Sequence, residues 1–202
     1  MTGLVLLAAG ASTRLGKPKQ QLLFEGQTLL QRATQSALAS DCAPIVVVLG
    51  AKADLLLSDM SGLSITTILN QEWQSGMASS ISSGMAALMR IAPAVSACLI
   101  MVCDQPFVHT DLLNKLLHTK EESGKGIAAC AYGGTMGTPA VFDKSYFQAL
   151  LELKGQEGAR KIISQNSTDV ATVAFPQGAT DIDTTADYDA LLQTATHLRG
   201  TH

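Results

Sequence analysis

The sequence predicts an α/β protein built on an open, mostly parallel, doubly wound sheet, and three observations predict it. Short β-like runs alternate with stretches of helical spacing, the pattern of helix-connected parallel strands. The most apolar runs, "IVVVL" and "ACLIMV", lack polar alternation, which suits strands covered on both faces. The chain has 202 residues, 47% of them hydrophobic, enough for one core that buries roughly 70% of the unfolded surface. We therefore expect one domain over residues 1–202.

In order, strands are expected at Leu4–Ala9, Ile45–Leu49, Ser64–Leu69, Ala97–Val102, Ile127–Ala131 and Val170–Phe175. Helical spacing falls at Thr28–Ala39, Met77–Ile91, Thr110–Glu122 and Ser145–Leu153, and Thr185–Leu198 closes the chain. In open sheets of this kind, ligands sit beyond the carboxyl ends of the strands. The loops after Ala9, Leu69, Val102 and Ala131 are thus where a site is expected. No repeat, low-complexity segment or linker is visible, and "HLRGTH" at the C-terminus is expected to fray.

Composition removes several function classes. Lys and Arg number 14 against 17 Asp and Glu, a net charge of -3, and no basic patch is visible, so nucleic acid is not an expected partner. The first apolar run is short and lacks a preceding basic segment, so it reads as a strand rather than a signal peptide. No run approaches the roughly 20 apolar residues that cross a membrane, and the expected compartment is the cytoplasm. The cysteines Cys42, Cys98, Cys103 and Cys130 form no C-x-x-C pair and read as buried small hydrophobes. The four histidines show no metal-binding spacing.

"LVLLAAGASTRLGKPKQQLLF", Leu4–Phe24, carries the strongest local signal. It is not a Walker A loop: five residues separate Gly10 from Gly16, and Pro18 stands where Ser or Thr should be. It is not a dinucleotide fingerprint either, because Ser12 occupies the second glycine position. Phosphate chemistry remains within it. Ala8, Ala9 and Gly10 let a nucleotide approach the backbone, and the amides of Ala11 to Leu15 can form an anion nest. Arg14 can fork onto phosphate oxygens, Lys19 can supply a point charge, and Pro18 stiffens the loop. On composition alone, an ordinary strand-to-helix turn with solvated cations reads equally well.

The pattern L-A-A-G-x-S-x-R-x-G-x-x-K-x-x-L over Leu7–Leu22 resembles the N-terminal signature of nucleotidyltransferases with a Rossmann-like fold. More narrowly, the chain resembles the molybdenum cofactor cytidylyltransferase family, close to the guanylyltransferases of the same pathway. Five further blocks follow in order: "NQEWQSGMASSISSGM" (Asn70–Met85), "DQP" (Asp104–Pro106), "GTPAVF" (Gly137–Phe142), "LKGQEGAR" (Leu153–Arg160) and "DIDTTADY" (Asp181–Tyr188). The resemblance covers residues 4 to 188 and implies a sheet of the nucleotide-diphospho-sugar transferase type. It also implies transfer of CMP from CTP to the terminal phosphate of molybdopterin cofactor, with pyrophosphate as the leaving group. Mg²⁺ would be the cofactor, and a xanthine dehydrogenase-type molybdoenzyme would receive the product.

The resemblance distributes roles among residues. Arg14, Lys19 and Asp104 match the catalytic positions, and Ala8, Ala9, Gly10 and Ser80 join them in binding the nucleotide. Asp104 ends the most apolar strand and matches the metal-binding Asp; read without the resemblance, it is a polar residue ending a strand. Asp183 is the expected second ligand, with Asp181 structural; alternatively Asp183 or Thr184 caps the helix that follows. Ser80 matches a serine that contacts cytosine. Trp73 reads as packing. The guanylyl branch usually has L-A-G-G, so Ala8-Ala9-Gly10 favours CTP over GTP. Gly137, Pro139 and Arg160 are expected around the second substrate, although Gln156 replaces the family's acid and Glu157 is the candidate substitute. Two other readings stand beside this one. A phosphorylated sugar or alcohol acceptor keeps the enzyme class, and a non-catalytic carrier of the cofactor does not.

Overall fold

The computed structural model describes residues 1–11, 18–180, 182 and 184–199. Strand β1 (Thr2–Ala8) is followed by a small hairpin, β2 (Leu23–Phe24) and β3 (Gln27–Thr28), whose turn holds Glu25 and Gly26 at φ 51° and 85°. Helix α1 (Leu29–Leu38) starts in a capping box: Gln31 N donates to Thr28 Oγ1, and Thr28 N donates to Gln31 Oε1. Then come β4 (Ile45–Leu49), α2 (Ala53–Leu57), β5 (Thr66–Leu69), α3 (Met77–Ile91), β6 (Ala97–Val102) and α4 (Thr110–Ser123). The last third holds β7 (Ile127–Tyr132), β8 (Thr135–Asp143), α5 (Phe147–Leu151), α6 (Ala159–Gln165), β9 (Val170–Ala174) and α7 (Thr185–Arg199).

Seven strands form one sheet in the order β5-β4-β1-β6-β8-β7-β9. Every neighbouring pair is parallel except those that include β8. The expected mostly parallel, doubly wound α/β sheet is what the chain forms. Alternate residues of the central strands feed two cores, which is why those strands read as continuous apolar runs. Leu4, Leu6, Val47, Leu99 and Met101 pack with residues of α1 and α4 on one side. Val5, Leu7, Val46, Val48 and Ile100 pack with α3, α5 and α6 on the other. Helix α3 lies close to the sheet because Gly84 faces it: a Cβ there would stand 2.5 Å from Val5 Cγ1.

The six expected strands all form, within two residues at either end. Strand β8 was not among them. It carries Gly137 and a cis Thr138–Pro139 peptide, and its register against β7 jumps between Ala129↔Ala140 and Cys130↔Gly137. Thr138 and Pro139 are thus bulged out of the ladder, a local irregularity that a period-two pattern does not reveal. The expected helix Ser145–Leu153 resolves into a 3-10 turn (Lys144–Tyr146), with Asp143 accepting from Ser145 N, and the short α5. Helix α7 begins in a capping box of Thr184 and Asp187. It docks on the β2–β3 hairpin through the cluster Leu22, Phe24, Leu29, Ile182 and Leu191, and Tyr188 Oη donates to Leu23 O at 2.7 Å.

Candidate functional site

The carboxyl ends of β1, β5 and β6 converge, and the candidate residues gather there. After β1 the chain returns through Pro18 into the 3-10 turn Lys19–Gln21. Gln20, 1% exposed, fixes that turn to the strand end: its Nε2 donates to Ala8 O and Gly10 O, both at 2.8 Å. Lys19 is thereby carried across to β6, where its Nζ lies 2.7 Å from Asp104 Oδ2. The pair is partly shielded, with side-chain exposures of 16% and 23%.

The Asn70–Met85 block forms the neighbouring wall. Asn70, 3% exposed, is tied to β4 through its N–H to Leu49 O, and its Nδ2 donates to Ser79 Oγ and Ser80 Oγ. Ser80 is therefore held at the start of α3 by a buried amide. Gly76 precedes that helix at φ 120°, ψ 179°, a conformation open to glycine alone. A Cβ there would meet Gly155 O at 2.1 Å, and Ala78 N donates to the same carbonyl. The Lys154–Gly158 segment is thus seated on the helix start, which brings Gln156 into the site.

Two cavities meet at the Lys19–Asp104 pair. One, of about 530 Å³, is lined by Ala8, Ala9, Gly10, Ser80, Trp73 and Gln156 together with the pair. The other, of about 350 Å³, is lined by the same Lys19 and Asp104 with Gln105, Gly137, Thr138 and Arg160. Both lie within the size range of small-molecule sites, roughly 300–1,000 Å³. Gln105, 5% exposed, donates from Nε2 to Thr138 O and Gly178 O at 3.2 Å, and its Oε1 has no hydrogen-bond partner among the described residues. Gly137 leaves room for Tyr132, since a Cβ there would stand 2.4 Å from Tyr132 Oη.

Residues 4–170 match the sequence profile described as the MobA-like NTP transferase domain. The chain belongs to the MobA-like NTP transferase family. It is 31% identical to nicotine blue oxidoreductase of Paenarthrobacter nicotinovorans, over 93% of this chain and 95% of that one. It is 28% identical to purine catabolism protein PucB of Bacillus subtilis (92% and 93% covered) and 23% identical to molybdenum cofactor cytidylyltransferase of Escherichia coli (91% and 92% covered). Among solved structures, Rv0371c of Mycobacterium tuberculosis superposes with a TM-score of 0.81 at 27% identity, covering 95% of this chain and 97% of that one. The manganese complex of the same mycobacterial protein gives 0.78 at 26% identity, covering 96% and 98%.

Seen as a MobA-like NTP transferase, the chain brings Ala8, Ala9, Gly10, Lys19, Ser80 and Asp104 to one cavity, and Gly137 and Arg160 to the adjoining one. Arg14, Asp181 and Asp183 lie outside the described residues. Pro139 is buried in β8 and lines neither cavity; the neighbouring Thr138 does. Trp73 both packs on the α3 side of the core and lines the larger cavity, so packing describes half of its position. Gln156 faces the cavity of Ala8–Gly10 rather than that of Gly137. Glu157 does not take its place: its carboxylate accepts from Lys161 Nζ and Lys154 N, and these bonds hold its pKa below the usual range. Gln20, Asn70, Gln105 and Tyr132 were not among the expected site residues. For Gln20 the sequence signal is adjacency to Lys19, and for Gln105 it is its place in the block Asp104–Pro106.

Proposed function

We propose that the protein transfers CMP from CTP to the terminal phosphate of molybdopterin cofactor, forming the cytosine dinucleotide and releasing pyrophosphate. One observation carries the reading: the Lys19–Asp104 pair lies at the seam of two cavities, where a donor and an acceptor can meet in line. In that reaction an acceptor phosphate oxygen attacks the α-phosphorus of CTP, and the bond from that phosphorus to the bridging oxygen breaks. Such transfers depend on positioning and charge neutralisation rather than on a covalent protein intermediate.

Lys19 and Arg14 hold the β- and γ-phosphates and neutralise the leaving group. Ser80, fixed by Asn70, offers its hydroxyl to the cytosine base. Ala8-Ala9-Gly10 sets the choice of CTP through close backbone approach, a preference worth about 1–3 kcal/mol per methyl group. The donor set suits Mg²⁺: Asp104 supplies hard carboxylate oxygens at the strand edge, and the described residues contain no cluster of three His, Cys, Asp or Glu side chains. Mg²⁺ is commonly held by one or two carboxylates with water and substrate phosphates. Asp104, with Asp183 as second ligand, would hold it, and the ion when bound would neutralise charge on the triphosphate. A molybdoenzyme of the xanthine dehydrogenase type is the proposed recipient of the product.

The test is pyrophosphate release by purified protein with each ribonucleoside triphosphate, with and without freshly released molybdopterin cofactor. Release that needs both CTP and the cofactor, is stopped by EDTA and restored by Mg²⁺, is expected. Asp104→Ala and Lys19→Met should each lower kcat by about 100- to 1,000-fold; equal activity in Asp104→Ala and the parent overturns the metal assignment. The 31% identity to nicotine blue oxidoreductase favours a second reading, in which the same pocket serves a redox reaction. Oxidation of a reduced nicotinamide dinucleotide by an added dye, with no pyrophosphate released, would select it.

A further inference from the structure

The proposed reaction gives Lys19 and Asp104 separate ligands, a phosphate for the ammonium and a divalent cation for the carboxylate, yet the two side chains hold each other. Lys19 Nζ lies 2.7 Å from Asp104 Oδ2, and the pair is partly shielded from water. One carboxylate carries one negative charge, and the ammonium neutralises it. A divalent cation at about 2.1 Å from a carboxylate oxygen would share that single charge with the ammonium, like charge beside like charge. The main chain under Lys19 is not free to carry the ammonium away. Gln20, 1% exposed, ties the turn to Ala8 O and Gly10 O at 2.8 Å, and Leu22 N donates to Lys19 O at 3.1 Å. The side chain is what can move, and a four-carbon stem with a compact, rotatable ammonium suits an exchange of partners. Lys19 lines both cavities, so the oxygens of a triphosphate held there would lie within its reach.

We infer that Lys19 competes with the divalent cation for Asp104, and that the triphosphate ends the competition by drawing the ammonium onto its own oxygens. Asp104 is thereby opened to the cation together with the nucleotide instead of ahead of it. The inference rests on the proposed reading of Asp104 as a metal ligand and concerns what Lys19 does to that ligand. It separates from a role in which Lys19 only clamps phosphate. Removing a clamp weakens nucleotide binding, and removing its positive charge raises cation affinity to the same extent with and without nucleotide. Removing a competitor raises cation affinity chiefly when no nucleotide is bound.

The test is Mn²⁺ binding, read from the electron paramagnetic resonance of the free ion, with and without saturating α,β-methylene CTP, after subtraction of the nucleotide's own binding. In the parent, the nucleotide should tighten Mn²⁺ binding. Lys19→Met and Lys19→Gln should bind Mn²⁺ about tenfold more tightly than the parent when no nucleotide is present, equivalent to about 1.4 kcal/mol. With nucleotide the difference should close, so the coupling between the two ligands falls by the same factor. Lys19→Arg keeps the charge and grips a carboxylate with two donors, so without nucleotide its affinity should not exceed the parent's. Thermal melts identify any variant that misfolds. Equal Mn²⁺ affinity in the parent and both neutral variants, or a gain of the same size with and without nucleotide, overturns the inference. Asp104→Ala separates it from the reading on which it rests. If Asp104→Ala binds Mn²⁺ as the parent does in both states, the metal assignment fails as well. If Asp104→Ala loses Mn²⁺ while the neutral variants match the parent, the competition fails and the metal assignment stands.

Discussion

Gly76→Ala tests how the site is built. At φ 120° and ψ 179°, an alanine is strained by about 1–3 kcal/mol before any contact is counted. Its Cβ would also lie 2.1 Å from Gly155 O and 2.4 Å from Gly155 C. Both obstacles are backbone atoms, so no side-chain rotation relieves them and the Lys154–Gly158 segment must withdraw. That movement breaks the Ala78 N–H bond to Gly155 O, worth about 0.5–1.5 kcal/mol. The sum, about 2–4 kcal/mol, corresponds to a fall in Tm of about 5–15 °C for a chain of this size. Withdrawal also takes Gln156 out of the larger cavity, so the KM for nucleoside triphosphate should rise with the loss of stability. Gly155→Ala is the control, because Gly155 also has a positive φ (57°) but nothing within 4 Å of its Cβ position. It should cost strain alone, about 1–2 kcal/mol. Differential scanning calorimetry and nucleotide titration read both effects. A Gly76→Ala protein that melts within about 2 °C of the parent, or a Gly155→Ala protein that falls as far, refutes the clash.

Four other outcomes are expected. Asn70→Ala removes the amide bonds to Ser79 and Ser80 and the acceptor for Glu72 N, a loss of about 2–4 kcal/mol that denaturant melts will show. Asp169 accepts from Gly126 N and the Tyr146 hydroxyl, and these bonds hold its pKa below 3.8. Its contribution is complete above the unfolded value and is lost as pH falls through the lowered one, so Asp169→Asn should flatten the acid loss of stability. The same change should bring Tyr146, pushed up to about 12 by burial and then by Asp169, back toward 10 in an ultraviolet titration. Burial pushes the thiols of Cys42 and Cys130 up to about 11 and about 12, and those of Cys98 and Cys103 higher still. At about pH 8 none of the four should react with a thiol reagent until the protein is unfolded.

The central strands were legible because burial on both faces writes itself as an unbroken apolar run, as in Ile45–Leu49 and Ala97–Val102. Lys19, Ser80 and Asp104 were singled out by the family resemblance, while the gathering of their loops at the strands' carboxyl ends was legible from the sheet type. Strand β8 was not, since Gly137 and Pro139 punctuate it and its antiparallel pairing depends on a bulge that only the partner strand explains. Helix α6, seven residues long, is too short for helical spacing to emerge. Gln20 and Gln105 escaped for another reason. A buried polar side chain is recognised by the backbone carbonyls it bonds, here Ala8 and Gly10, or Thr138 and Gly178, and neither set is near it in composition.

The sequence blocks that mark the family touch one another, and this gives them a physical rationale beyond ligand contact. Gly50 leaves no room for a Cβ because Ala9 O and Trp73 Cβ each lie 2.7 Å from that point, so the first loop and the tryptophan turn close on one glycine. Gly76 lies against Gly155, and Gly158 faces Met77 Sδ, 2.8 Å from where its Cβ would stand. The Lys154–Gly158 segment is therefore locked to the start of α3 from both ends. Ala9, Gly50, Trp73, Gly76, Met77, Gly155 and Gly158 thus form one rim, in which close backbone approach requires glycine at positions 50 and 76. A rim fixed in this way holds Ser80, Gln156 and the end of β1 in constant relation to Lys19 and Asp104. For nucleotidyl transfer, where orientation and fixed charge supply most of the rate, that constancy is the fold's contribution to the chemistry. Enlarging Gly50 or Gly76 should then weaken nucleotide binding even where the side chain never meets the nucleotide.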